Sequence, residues 1–267
     1  MENTPIEWAN HSFSAWVGCV KISPGCANCY ACTQSVRFAG RVWGPGAPRH
    51  VHGPKYWAAP RRWNRRAERT GIKELVFAND FSDTFEEHPQ VVEPRKRLFD
   101  LIDETPHLVW QILTKRPENI RKFYPRRWLR NPPHNVWLGV SVESKAYLDR
   151  VRLLLKIRAV VHFLSIEPLL EDLGRIKHVA TKDIEWVIVG GESGRSKKKI
   201  RLMDADWVRG LRDQYVDAGI PFFFKQWGMF DNNPDKNDPT AKDNGGKTKG
   251  GRMLDGRLWS EMPDADS

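Results

Sequence analysis

Cys19, Cys26 and Cys29 are three of only four cysteines in the chain, and all four fall between positions 19 and 32. They sit in Gly18-Cys19-Val20-Lys21-Ile22-Ser23-Pro24-Gly25-Cys26-Ala27-Asn28-Cys29-Tyr30, a C-x6-C-x2-C spacing. A disulfide framework spreads its cysteines to staple distant segments. Thiols crowded into one short loop wrapped by Gly and Pro instead suit a metal or cluster in a reducing compartment. Three thiolates on a 4Fe–4S cluster leave one iron open to a small-molecule ligand, and the cluster's potential then depends on hydrogen bonds and burial around the sulfurs. Adding Cys32 gives the four thiols of a tetrahedral zinc site. Zinc sites, however, usually pair two separated knuckles, and Cys32 falls on a predicted helix, where it reads as a small buried residue. Cys19, Cys26 and Cys29 are therefore the expected ligands. A zinc site, or merely buried thiols, are the alternatives.

The elements that must position this loop are legible as a repeat. Short apolar runs begin near residues 74, 107, 135, 160, 184 and 220, and a helix-like segment follows most of them. Residues 13–18 supply a further candidate strand ahead of the cysteines. Near-continuous apolar runs fit strands covered on both faces, as in parallel sheets. Helices are predicted over 90–103, over 144–157 with Ser144 as cap, and over 204–218 with Gly219 as stop. Strand–helix alternation implies right-handed crossovers. The expected fold is a single α/β domain over 1–267: a full or partial parallel β/α barrel of about six or seven strands, with an open doubly wound sheet as the alternative. Two insertions interrupt it, one near 40–60, and a flexible loop near 231–251 too polar to form a core. Residues 252–263 regain apolar character and are expected to dock on the body.

In such barrels active sites form where strands end, and polar residues fall there after nearly every run. Asn79, Asp80, Ser82 and Asp83 follow the first, then Thr114, Lys115 and Arg116. Ser141 and Glu143 come next, then Ser165 and Glu167, then Glu192 and Ser193 behind the Gly190-Gly191 pair, and last Lys225 and Gln226. Glu143, Glu167, Lys115 and Lys225 are the catalytic candidates, and Asn79, Asp80, Ser82, Asp83, Ser141, Ser165, Gly190, Gly191 and Glu192 are candidates for binding a cofactor. The cations suit a carboxylate or phosphate. Taken singly, a strand-end carboxylate is often a helix cap or an ion-pair partner; the repetition is what marks the set. Gly190 and Gly191 permit close backbone approach to a ligand, but no Walker loop is present and residues 190–194 do not match a dinucleotide fingerprint.

Bulk properties bound the remainder. With 43 Lys and Arg against 33 Asp and Glu, the chain carries +10, and 12 Trp and 12 Phe could add stacking surfaces. Both suit a nucleic acid or nucleotide, although solvated basic helices and a core of aromatics explain them equally well. Basic clusters lie at Arg61, Arg62, Arg65 and Arg66, at Arg121, Lys122, Arg126 and Arg127, and from Arg195 to Arg201. No run approaches the roughly 18 apolar residues of a membrane helix, and the polar start lacks a signal-peptide pattern. A cytoplasmic protein with no membrane partner is expected.

Several blocks carry a family resemblance: Ile6-Glu7-Trp8, the cysteine segment, Leu113-Thr114-Lys115-Arg116-Pro117, Trp137-Leu138-Gly139-Val140-Ser141-Val142-Glu143, Ser165-Ile166-Glu167-Pro168-Leu169, Trp186 through Gly194, Pro221 through Gly228, and Leu254-Asp255-Gly256-Arg257. They run nearly end to end, and the chain resembles the three-cysteine-motif proteins common in phages and prophages. That family is similar to radical S-adenosylmethionine (SAM) enzymes. The resemblance implies a partial β/α barrel and a 4Fe–4S cluster on three cysteines, with SAM on the open iron cleaved to a 5′-deoxyadenosyl radical. It also implies an electron donor. The first cysteine gap is longer than the three residues usual in radical SAM enzymes, and the longer gap is typical of the phage family. A Gly-Gly-Glu stretch contacts the SAM amino group in many radical SAM enzymes, but after an early strand; here it comes late, and the role does not transfer by letters alone.

The expected function is thus an iron–sulfur enzyme that cleaves SAM and abstracts hydrogen from a substrate, a nucleic acid base or nucleotide being preferred, in DNA modification or repair. The alternative is a nucleic-acid-binding protein with a structural zinc or iron–sulfur site.

Overall fold

Strand β1 (His11–Phe13) pairs in parallel with β2 (Glu74–Ala78), and β3 (Leu108–Thr114), β4 (Val136–Ser141), β5 (Val161–Ile166), β6 (Trp186–Gly190) and β7 (Phe222–Gln226) follow in sequence order in one seven-stranded sheet. The computed structural model describes residues 1–177, 183–193, 199–241 and 250–265. All six pairings in this sheet are parallel, and the sheet curls into a partial barrel. The first strand lies earlier than expected, at 11–13 rather than 13–18, because the chain past Phe13 turns across the strand ends: Ala15 N–H donates to Asn79 Oδ1 at 2.8 Å.

The period of two along each strand sorts side chains onto two faces. Phe77, Val109, Trp137, Val161, Phe163, Trp186, Ile188 and Phe223 point inward and pack with Trp8 as a plug. Val76, Trp110, Ile112, Leu138, Val140, Leu164, Ile166, Val187, Val189 and Phe224 point outward into the main core beneath the helices. Trp186 is the centre of the plug, with its ring 5.8 Å from Trp137, 5.6 Å from Phe163 and 6.1 Å from Trp8.

The outer layer includes α1 (Tyr30–Ala39), α2 (Pro54–Trp57), α3 (Ala59–Thr70), α4 (Val92–Asp103), α5 (Ile120–Phe123), α6 (Arg126–Arg130), α7 (Asp149–Leu154) and α8 (Ala205–Asp217). Helical spacing sets what they bury: Trp63 and Ala67 on α3, Val208, Leu211 and Tyr215 on α8. Asp204 caps α8 by accepting from Asp206 N–H at 2.8 Å. The helix expected over 144–157 is broken into a 3-10 turn at Lys145–Tyr147 followed by α7, and the Ser144 side chain makes no cap bond.

Both insertions are tied to the body where they are described. Arg49, buried with its Glu86 partner, donates to Glu86 at 2.9 and 2.8 Å and to the carbonyls of Val42 and Ala47, closing residues 42–49 around one guanidinium. Of the loop near 231–251, residues 242–249 lie outside the described residues. The flanking parts are not open chain: Asn233 is fully buried and donates to Asp238 and to the Gly250 carbonyl, and Asp238 also accepts from Met253 N–H. The hairpin of β8 (Met253–Leu254) and β9 (Arg257–Leu258) leads to a return onto β7, where Phe224 N–H donates to the Trp259 carbonyl at 2.9 Å. Among the described residues no helix is long and apolar enough to cross a membrane.

Candidate functional site

The inward face that carries the aromatic plug changes character one step further along each strand. Phe77 gives way to Asn79, Leu113 to Lys115, Phe163 to Ser165 and Glu167, Ile188 to Gly190, and Phe223 to Lys225. The same two-residue period that fills the barrel therefore delivers polar groups to its C-terminal mouth. There they line a cavity of about 250 Å³ floored by Trp8 and Phe77. Cys19, Cys26 and Cys29 line it from the loop above, whereas Cys32, on α1, does not. Of the residues expected in the site, all but Glu143 and Gly190 line this cavity.

Glu143 lies beneath the cysteine loop. It is fully buried, accepts from Arg150 Nη1 at 2.7 Å and takes the Ser23 hydroxyl as a second donor. Gly25 permits this: a Cβ there would stand 2.8 Å from Glu143 Oε1. Strand β4 ends at Ser141, so the chain turns before Glu143 and carries its carboxylate under the loop. Gly190 is behind Glu167, since a Cβ at Gly190 would stand 2.8 Å from Glu167 Oε1. Gly191 reaches the cavity with its back against the Trp227 carbonyl.

Other expected cofactor ligands are occupied by the protein itself. Asn79 adopts a left-handed backbone (φ 59°) and bonds Ala15 N–H and the Thr84 hydroxyl. Asp80 accepts from Ser14 Oγ at 2.6 Å, and burial pushes its carboxyl up despite that bond. Asp83 accepts from the Thr114 hydroxyl at 2.7 Å, Lys115 N–H at 3.0 Å and Arg116 Nη1 at 3.0 Å. Glu192 accepts from Asn28 Nδ2 at 3.0 Å and from the Arg201 backbone and guanidinium. Burial would raise its carboxyl, but Arg201 outweighs that and holds it below the ordinary range. Asn28 and Ser23, both inside the cysteine motif, thus fasten the loop to two strand ends. Their position between the cysteines was the sequence signal for this role; Arg150 carried none.

Groups facing the cavity without that structural burden are Ser82, Ser141, Ser165, Glu167, Lys115 and Lys225. Glu167 pairs with Lys225 at 3.0 Å and accepts from Ser165 Oγ at 3.2 Å. Ser82 Oγ and Trp8 Nε1 are buried polar atoms with no hydrogen-bond partner in the protein. Buried polar atoms of this kind call for a partner, which a water or a ligand in the cavity would supply.

The three thiols differ electrostatically. Burial pushes Cys19 up to about 12, partly offset by Arg116, whose Nη1 donates to Sγ at 3.5 Å. For Cys26, burial is outweighed by the Lys115 charge and by hydrogen bonds at Ile22 and Ser23, which hold the thiol below its usual value. Burial raises Cys29. Among the described residues no three His, Cys, Asp or Glu side chains gather around one point as a single metal ion requires. A multi-iron cluster takes its thiolates from further apart than a single ion does; the donor set here is three thiols lining one cavity, with Arg116 at Cys19 and the Lys115 charge acting on Cys26 and Cys29.

The basic clusters lie mostly on the covering helices, away from this mouth. Arg61, Arg66, Lys122 and Arg127 pair with Glu104, Glu74, Glu87 and Asp103. Gly194, Arg195, Lys197 and Lys198 lie outside the described residues.

Residues 3–263 match a family model described as Protein of unknown function (DUF5131). No curated protein and no solved structure matches the chain.

Proposed function

The chain belongs to the DUF5131 family, and from its site we propose a radical SAM-type iron–sulfur enzyme acting on a nucleic acid base or nucleotide in the cytoplasm. One observation carries this reading: Cys19, Cys26 and Cys29 line the same cavity as the strand-end residues Ser141, Ser165, Glu167, Lys115 and Lys225, at the C-terminal mouth of a partial β/α barrel. The three cysteines would hold a 4Fe–4S cluster with one iron open. A cluster held by these cysteines would supply one-electron reducing chemistry for a bound SAM, with an electron-donor protein as the reductant.

The remaining work belongs to the chain's own residues. Glu167, oriented by Ser165 Oγ and Lys225, offers a carboxylate for an amino group or ribose hydroxyls of SAM. Lys115 presents a cation for a carboxylate or phosphate and favours the thiolate of Cys26. Trp8 and Phe77 close the floor and exclude water below the reacting atoms. Glu143, Arg150, Ser23, Asn28 and Glu192 fix the cysteine loop over the strand ends. The preference for a nucleic acid rests on the +10 charge of the chain.

The test is anaerobic reconstitution with iron and sulfide, followed by dithionite and SAM. The expected result is an iron–sulfur chromophore and release of 5′-deoxyadenosine. Zinc retained in place of iron after reconstitution would instead support a structural site in a nucleic-acid-binding protein. Binding of an oligonucleotide should weaken steeply with salt; no binding at low salt would remove that partner.

A further inference from the structure

Arg116 is the one cationic side chain that the described residues place in hydrogen-bond contact with a cysteine of the site, at 3.5 Å from Cys19 Sγ. It is nearly buried, with a side-chain exposure of 8%. Its position is over-determined: Nη1 also meets Asp83 Oδ2 at 3.0 Å, Nη2 donates to the Val20 carbonyl at 2.8 Å, and Glu86 lies 4.0 Å away. Asp83 is held in turn by Thr114 and by Lys115 N–H. A guanidinium locked in this way cannot swing into the cavity to bind a substrate carboxylate or phosphate. Its free direction is the sulfur.

We infer that Arg116 is a positioning residue that sets the reduction potential of the cluster through Cys19, an inference that rests on the iron–sulfur reading above. Reduction adds one negative charge to a cluster. A fixed cation and an N–H···S bond at a ligand sulfur stabilise the more negative state and so raise the potential, and both act strongly where solvent is excluded. Cys19 is the most buried of the three thiols, so a charge placed there is screened least. Removing Arg116 also leaves the Asp83 carboxylate without its cation, and this lowers the potential further in the same direction.

The experiment is an EPR-monitored redox titration of the reconstituted protein against Arg116→Met and Arg116→Lys. Losing a charged hydrogen bond at one ligand should make reduction about tenfold less favourable, which is about 59 mV downward for a one-electron couple. Arg116→Lys, which keeps the charge but loses the fork, should recover part of the shift. An unchanged potential in Arg116→Met with its cluster assembled overturns the inference and leaves the iron–sulfur reading standing. A wild-type protein that assembles no cluster overturns both. Should Arg116→Met fail to fold, wild-type protein carrying 15N-arginine decides the matter: pulsed EPR of the reduced cluster should show a 15N coupling, and its absence overturns the inference.

Discussion

Replacing Glu143 by Gln separates a structural carboxylate from a catalytic one. Glu143 is fully buried, its Arg150 partner is 8% exposed, and the two meet at 2.7 Å. Breaking a buried pair by removing one partner costs about 3–5 kcal/mol, because the other charge is left uncompensated. Arg150 keeps the Ser141 carbonyl at 2.8 Å and the Tyr147 ring at 4.1 Å, so the lower end, about 3 kcal/mol, is expected. With 267 residues and an unfolding entropy of about 2.1 cal/mol/K per residue, that is a fall of about 5 °C in Tm. Urea unfolding followed by tryptophan fluorescence, with calorimetry alongside, measures both quantities. The double variant Glu143→Leu with Arg150→Met removes both charges and should return to within about 1 kcal/mol of wild type. A Glu143→Gln protein as stable as wild type, or a double variant no better than the single, refutes the reasoning. A stable but inactive Glu143→Gln would restore this residue to catalysis.

Cys19→Ala, Cys26→Ala and Cys29→Ala should each abolish the chromophore of reconstituted protein while Cys32→Ala keeps it; loss in Cys32→Ala would overturn the ligand set. Trp186→Ala, at the centre of the plug, should cost about 3–5 kcal/mol by urea unfolding, and a cost below about 1 kcal/mol would mean the barrel interior collapses around the gap. The Glu192 carboxyl is held below its ordinary range by Arg201. Its contribution is therefore complete above the unfolded-state value and is lost as pH falls through the lower folded one. Unfolding experiments below about pH 4.3 should show a steeper loss of stability in wild type than in Glu192→Gln, and parallel curves would remove that role.

The sequence by itself determined six of the seven strands, the parallel winding and the three cysteines that share a cavity, since each depends on local information. Apolar runs of five to seven residues carry their own period, and the C-x6-C-x2-C loop is contiguous. The first strand was misplaced because Asn79, 64 residues on, captures the chain at Ala15. Local pattern also marked the strand-end polar residues as a set, and the period of two brings most of them to one mouth. It could not sort that set. Whether a carboxylate at a strand end faces the cavity or a guanidinium depends on partners far away in sequence: Arg150 beneath Glu143, Arg201 and Asn28 around Glu192, Arg116 against Asp83 and Cys19. Only the tertiary structure decided these, because burying a charge is favourable only where the fold delivers its counter-charge, and that delivery leaves no trace in the spacing of either residue.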